Sequence, residues 1–313
     1  MTDLSIERIE QAAHTIDPVF RDTPQFTDPQ LGLALDREVL LKVETMNPLG
    51  SFKGRGADFL ARELDPRRRL VCATAGNFGQ AIAYAARAHG FAGAHVFVPA
   101  EVLPSKLARL RTLGAEVTVG GDDEEEVKAA AREYAEGDPR CRFVEDGREA
   151  AIAEGAGTIG VELLGSGPID AIVVQVGDGA LITGIARWVK GHSPGTRVIG
   201  VCASGAPAMA LSWRAGRVIS TEKVETIAQT LAIRQPVPES LERVRALVDD
   251  LVLVDDEEML SAARLIAETL GLLVEPAGAA GIAAVRRHDP AGERVAAILT
   301  GSDPRADVVG GPD

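Results

Sequence analysis

Residues 171–181 read AIVVQVGDGAL, and their character changes midway. The first six are nearly all apolar and rich in β-branched side chains. Small residues follow at Gly177, Gly179 and Ala180, and apolar residues then recur at helical spacing from Leu181 to Lys190. An unbroken apolar run suits a strand covered on both faces, and a turn of small residues into a helix suits a crossover. The alternation extends in both directions. Further candidate strands are EVLLKVE (38–44), RLVCAT (69–74), AHVFVP (94–99), EVTV (116–119), RVIGVC (197–202), DLVLVD (250–255) and RVAAILT (294–300). Helical spacing predicts helices over 79–89, 105–113, 124–134, 181–190 and 256–270. The fold class is α/β with mostly parallel sheets.

The bulk properties narrow the function. The chain has 313 residues, room for one large domain or two modest ones, and its 46% hydrophobic content rules out wholesale disorder. A formal net charge of -13 disfavours a nucleic-acid or anionic-membrane surface, since both reward clustered Lys and Arg. The run Arg67-Arg68-Arg69 is short, follows Asp65-Pro66 and reads as a solvated turn. The three cysteines, Cys72, Cys141 and Cys202, have no metal-ligand spacing and form no disulfide framework, which suits a reducing compartment. The start is acidic and amphipathic rather than a signal peptide, and Leu270–Val285 is too broken to span a membrane. A cytoplasmic protein is expected.

Five turns carry unusual residues. SFKGRG (51–56) places Lys53 after a Phe, between glycines, at the start of an apolar helix. A lysine shielded there can act as an amine nucleophile toward an aldehyde, although most lysines are solvated surface residues. TAGNFGQ (74–80) joins a strand to a helix, and Asn77 is open to two readings, as helix cap or as ligand donor. VGDGAL (176–181) can cradle a phosphate with free N–H groups, but Asp178 is awkward beside an anion unless its side chain points away. VEPAGAA (274–280) and LTGSD (299–303) could each be a cap or a turn.

Taken in order, these five segments resemble the fold-type-II pyridoxal-phosphate enzymes over nearly the whole chain. The resemblance is closest to the threonine/serine dehydratase and serine racemase branch. Lys42-x-Glu44 and the segment from Lys106 to Ala115 add to it. It implies that Lys53 is the Schiff-base lysine, with Phe52 beside it. Asn77 stands next to the ring hydroxyl of the cofactor, pyridoxal 5'-phosphate. The phosphate loop falls on Gly177, Asp178, Gly179, Ala180 and Leu181, Thr300 falls at the pyridine nitrogen, and Glu275 lies near the cofactor. Ser51, Thr74, Ala75, Gly76 and Phe78 match the segments that grip the substrate amino acid.

The departures from the pattern are informative. Ala75 stands where racemases of the branch carry a serine, and a methyl group cannot move a proton, which demotes racemisation. Phe78 replaces a usual histidine, so the substrate contacts are altered. Asp178 and Ala180 replace glycines of the phosphate loop. Cys202 falls where some relatives have a metal-binding Glu, so no metal is expected.

The resemblance implies two α/β domains, 1–65 plus 147–313 and an inserted 66–146, with the cofactor between them. The expected activity is dehydration of a small amino acid such as L-threonine or L-serine to a 2-oxo acid and ammonia, by a homodimer without a C-terminal regulatory domain. The alternatives are β-replacement, racemisation, a biosynthetic step on an unusual β-substituted amino acid, and a catalytically silent ligand-binding homologue. No G-x-G-x-x-G of nicotinamide-binding proteins follows an early strand.

Overall fold

The computed structural model describes residues 2–74, 76–121 and 124–302. Among these, ten strands follow in chain order: β1 (Gln25–Phe26), β2 (Val39–Val43), β3 (Arg69–Ala73), β4 (Ala94–Val98), β5 (Glu116–Val119), β6 (Cys141–Phe143), β7 (Ala171–Gln175), β8 (Arg197–Ala203), β9 (Asp250–Val254) and β10 (Val295–Leu299). They form a six-stranded sheet, β1-β2-β10-β7-β8-β9, and a four-stranded sheet, β5-β4-β3-β6. All neighbours are parallel except β1, which runs antiparallel to β2. The α/β class with mostly parallel sheets is therefore present.

Each strand expected from the sequence exists, with its ends displaced by no more than one residue. The apolar runs are explained by burial, since β2, β4, β7 and β10 are buried at every position. Strands β1 and β6 go beyond the expected set. At two and three residues they are too short to carry a period. The helix Asp256–Leu270 has the expected limits because a capping box of Asp255 and Glu258 starts it and Gly271, at φ 66°, stops it. The helix Asn77–Ala88 starts two residues before the expected Gly79, because Gly76 takes the extended N-cap position.

Three helices bring the unusual turns together: Lys53–Ala61, Ala150–Gly165 and Ala180–His192. They touch backbone to backbone. A Cβ added at Gly56 would stand 2.5 Å from the Ile152 carbonyl oxygen, and one at Gly184 would stand 1.9 Å from that of Ala153. The helix that begins at Lys53 and the helix that begins at the VGDGAL turn are thus both seated on Ala150–Gly165.

A buried charge network fixes this arrangement. The fully buried Arg55 donates from Nε to Glu44 at 2.8 Å and from Nη1 to Glu162 at 2.6 Å and Thr158 at 2.8 Å. Lys42 in β2, also buried, pairs with Glu162 at 2.5 Å and donates to the Thr23 carbonyl at 2.6 Å. Of the Lys42-x-Glu44 pattern, Glu44 therefore meets Arg55 directly and Lys42 meets its partner Glu162. Burial alone would raise the Glu162 pKa, but the hydrogen bonds and charges of Arg55 and Lys42 outweigh it and hold the carboxyl below its ordinary 4.5.

Removing one member of such a network strands the others in a low dielectric. The variant Arg55→Leu is expected to lose about 3–5 kcal/mol of stability, read by urea denaturation. Glu162 contributes stability that is complete above its ordinary 4.5 and is lost as pH falls through its depressed value. The wild type is therefore expected to lose this contribution in an acid titration below that point, and Glu162→Gln to show a flatter acid limb.

Candidate active site

Lys53 opens its helix, and the turn before it is laced to the end of β10. Phe52 N donates to the Thr300 carbonyl at 3.1 Å, Ser302 N donates to the Gly50 carbonyl at 2.9 Å, and Ser51 bridges Gly301. The SFKGRG and LTGSD motifs are one structural unit, although 252 positions separate Gly50 from Ser302. Within it the Lys53 Nζ lies 4.6 Å from the Phe52 ring centroid and 5.9 Å from that of Phe78. Its polar partner is the Asp146 carboxylate, with which it forms an ion pair.

The asparagine loop corrects one reading. Asn77 does not cap its helix: Gly76 is the N-cap and there is no side-chain capping bond. Instead Asn77 Nδ2 donates to Glu275 Oε1 at 3.1 Å. Glu275 is buried at the start of the helix Pro276–His288 and also accepts from Thr230 at 3.4 Å, with Lys106 Nζ 3.9 Å away. The Thr74 hydroxyl accepts from Gly76 N at 2.9 Å and shapes the loop. Ala75 lies outside the described residues.

The VGDGAL turn leads into the helix Ala180–His192 through Gly179, at φ 90° and without a side-chain cap. The first N–H groups of that helix therefore have no partner within the helix. The difficulty at Asp178 has a structural answer, because the Lys128 ammonium stands 3.6 Å from its carboxylate and offsets the charge. The Asp178 carbonyl is held at 2.5 Å by the Ser240 hydroxyl.

These turns converge. Phe52, Lys53, Asn77, Glu275, Thr300 and the run Gly177–Leu181 line one cavity together with Gln175, Thr230 and Leu231. Thr74, Gly76 and Phe78 line an adjoining cavity that shares Lys53, Asn77, Asp178 and Thr230 and adds Lys128, Glu145, Asp146 and Ile233. Ser51 lines neither. It is fully buried behind the lysine turn, and its Oγ has no hydrogen-bond partner among the described residues. Asp146, Lys128 and Thr230 escaped sequence reasoning. A signal for Asp146 exists in Glu145-Asp146-Gly147, which follows the missed strand β6 as a turn follows any strand.

The residues present fit an aldehyde cofactor that carries a phosphate. They supply an amine in a slot walled by aromatic rings and an uncapped helix N-terminus for a dianion. Cys202 is buried in β8 and burial pushes its thiol up to about 12, so it is inert. Among the described residues no three His, Cys, Asp or Glu side chains are grouped as metal ligands.

Comparison with known proteins agrees with this geometry. The family model described as "Pyridoxal-phosphate dependent enzyme" matches residues 16–301. The L-threonine ammonia-lyase of Thermotoga maritima is 33% identical over 305 residues, covering 96% of this chain and 76% of the relative. The L-threonine ammonia-lyase of Geobacter sulfurreducens is 34% identical over 273 residues, covering 85% and 67%. Among solved structures, maize serine racemase superposes with a TM-score of 0.90 at 26% identity, covering 98% of this chain and 95% of that one. The processed form of threonine deaminase isoform 2 from Solanum lycopersicum gives 0.87, also at 26% identity, covering 97% and 92%. With the lysine, the helix N-terminus and the family model in agreement, this chain belongs to the pyridoxal-phosphate-dependent enzymes.

Proposed function

We propose that the enzyme is an ammonia-lyase that removes the β-hydroxyl of a small amino acid such as L-threonine or L-serine, giving a 2-oxo acid and ammonia. The observation that carries this reading is the setting of Lys53, an amine held between two aromatic rings at the mouth of a helix-terminus anion site. The names of the relatives and the methyl group of Ala75 point the same way, to elimination rather than racemisation.

Bound pyridoxal phosphate supplies an electron sink for the bond broken at Cα. The chain does the rest. Lys53 anchors the cofactor covalently and, once freed, its neutral amine takes the Cα proton. The N–H groups of Gly177, Asp178, Gly179 and Ala180 receive the phosphate, with Leu181 closing the loop. Thr300, which lines the same cavity, would offer the ring nitrogen of the bound cofactor a neutral hydroxyl, a setting that suits elimination. Asn77 and Glu275 face the ring hydroxyl side. The loop Thr74–Phe78 receives the substrate carboxylate, while Ser51 stays buried behind the lysine turn. Phe52 and Phe78 exclude water around the amine.

In this proposal the chain divides into 1–65 plus 147–313 and an inserted 66–146, a division supported by the membership of the two sheets. A homodimer in the cytoplasm completes the proposal, and the three free, buried cysteines suit the reducing compartment. No described helix is long and apolar enough to cross a membrane.

Purified enzyme supplied with L-threonine or L-serine is expected to release ammonia and a 2-oxo acid in equal amounts, measured by coupled reduction of the oxo acid. Formation of the D-amino acid without an oxo acid would sink the reading. Lys53→Ala is expected to lower turnover by roughly 10²–10⁴-fold and to abolish borohydride fixation of the chromophore.

A second variant tests the phosphate loop. At position 179 a side chain would be strained at φ 90° and its Cβ would stand 2.2 Å from the Ser240 hydroxyl. Gly179→Ala is expected to weaken cofactor affinity by roughly tenfold or more, read by absorbance titration of the stripped enzyme.

A further inference from the structure

The reading above gives Asp146 no role, yet the Asp146 carboxylate is the polar partner of the Lys53 amine. The two side chains are 7% and 15% exposed, so their interaction is only weakly screened. We propose that Asp146 is a positioning residue for Lys53, which aims the amine into the cavity and balances its charge whenever it carries a proton. This rests on the reading of Lys53 as cofactor anchor and base.

The carboxylate is itself held in place. Its Oδ1 accepts from Gly147 N at 3.0 Å, and Gly147 sits at φ 80° with its carbonyl accepting from Arg243 Nη1 at 2.9 Å. Arg243 is buried and is fixed in turn by Asp3 at 2.6 Å. A Cβ at position 147 would stand 2.5 Å from the Asp178 carbonyl oxygen, so the Glu145-Asp146-Gly147 turn is wedged against the phosphate loop. Asp146 is thus a rigid anion set against a flexible lysine.

The other charges around the pair have partners of their own. Glu145 faces Arg132 at 3.1 Å and Arg148 at 3.2 Å. From the VGDGAL turn comes Asp178, matched by Lys128 of the helix Glu124–Glu136 at 3.6 Å. From β3 comes Cys72, whose ionisation is suppressed first by burial and then by the charge of Asp146. Asp146 remains as the carboxylate matched to Lys53.

This placement has a chemical consequence. In the proton transfer the Cα–H bond breaks, the proton bonds the lone pair of the neutral Lys53 amine, and the electron pair stays on the substrate side, drawn by the cofactor. Positive charge appears on Nζ at that moment. An anion already in contact with Nζ stabilises the product of the transfer without reorganising.

The test uses the full chain, stripped of cofactor and reloaded, as wild type, Asp146→Asn and Asp146→Glu. The first readout is the rate of pyridoxal phosphate capture at fixed pH, followed by absorbance. Without the carboxylate that aims the amine, capture by Asp146→Asn is expected to slow roughly tenfold or more. The second readout is turnover of L-threonine or L-serine: kcat is expected to fall roughly tenfold or more, with KM within about twofold, and the Cα-deuterium isotope effect to rise.

Asp146→Glu, which keeps the charge, is expected to restore most of the capture rate and of kcat. A merely structural role would not give a loss confined to kcat that the conservative variant rescues. An unchanged capture rate in Asp146→Asn with a native circular dichroism spectrum overturns the proposal, as does an unchanged kcat. If Asp146→Asn does not fold, Asp146→Ser replaces it in both measurements. The underlying reading fails separately: covalent capture that persists in Lys53→Ala shows that Lys53 is not the anchor.

Discussion

The structure depends on one buried guanidinium. Arg55 has no exposed surface, and it is met by Glu44 from the end of β2 and by Glu162 from the helix Ala150–Gly165. Charges out of water are costly unless every donor and acceptor is matched, so the network exists complete or not at all. Arg55 lies two residues after Lys53 on the same helix. Fixing its fork between two carboxylates therefore fixes the rotation and height of the helix that presents the Lys53 amine. The glycine contacts against Ala150–Gly165 then bring the second helix, with its phosphate loop, to the same support.

The fold was legible in the sequence where burial on both faces produced unbroken apolar runs, as at β7 and β10. It was illegible where a strand held only two or three residues, as at β1 and β6. The site divides along a similar line. Lys53, Asn77, the glycine turn, Glu275 and Thr300 stand at strand ends or helix starts, and there unusual residues mark themselves against their surroundings. Asn77 stood out in this way, but its two readings separated only when Gly76 took the cap and Glu275 took the amide.

Asp146 and Lys128 were hidden for another reason. Asp146 meets a lysine 93 positions away, and the strand that would have pointed to its turn, β6, is too short to carry a period. Lys128 belongs to a charged helix whose sequence is full of similar residues, and only the fold turns it toward Asp178. Their effect is collective. The cavity gathers carboxylates and ammonium groups in contact pairs, which keeps charge near the phosphate loop and the reactive amine locally balanced. A site for a small amino acid is thereby built from groups that also join elements of the two sheets.

The position of β10 has a consequence for how the molecule comes into being. β10 lies between β2 and β7 in the large sheet, pairing Leu299 with Val43 and Val295 with Ala171. Its residues leave the ribosome long after both neighbours. The four-stranded sheet draws all its strands from the continuous stretch Arg69–Phe143 and can assemble while synthesis continues. The larger sheet must wait with an open slot, its apolar edges unpaired, until β10 emerges. The lysine turn, which leans on Thr300 and Gly301, gains its support in the same event. A nascent chain therefore cannot expose a competent amine early: structural closure and chemical competence arrive together, with the strand that fills the slot.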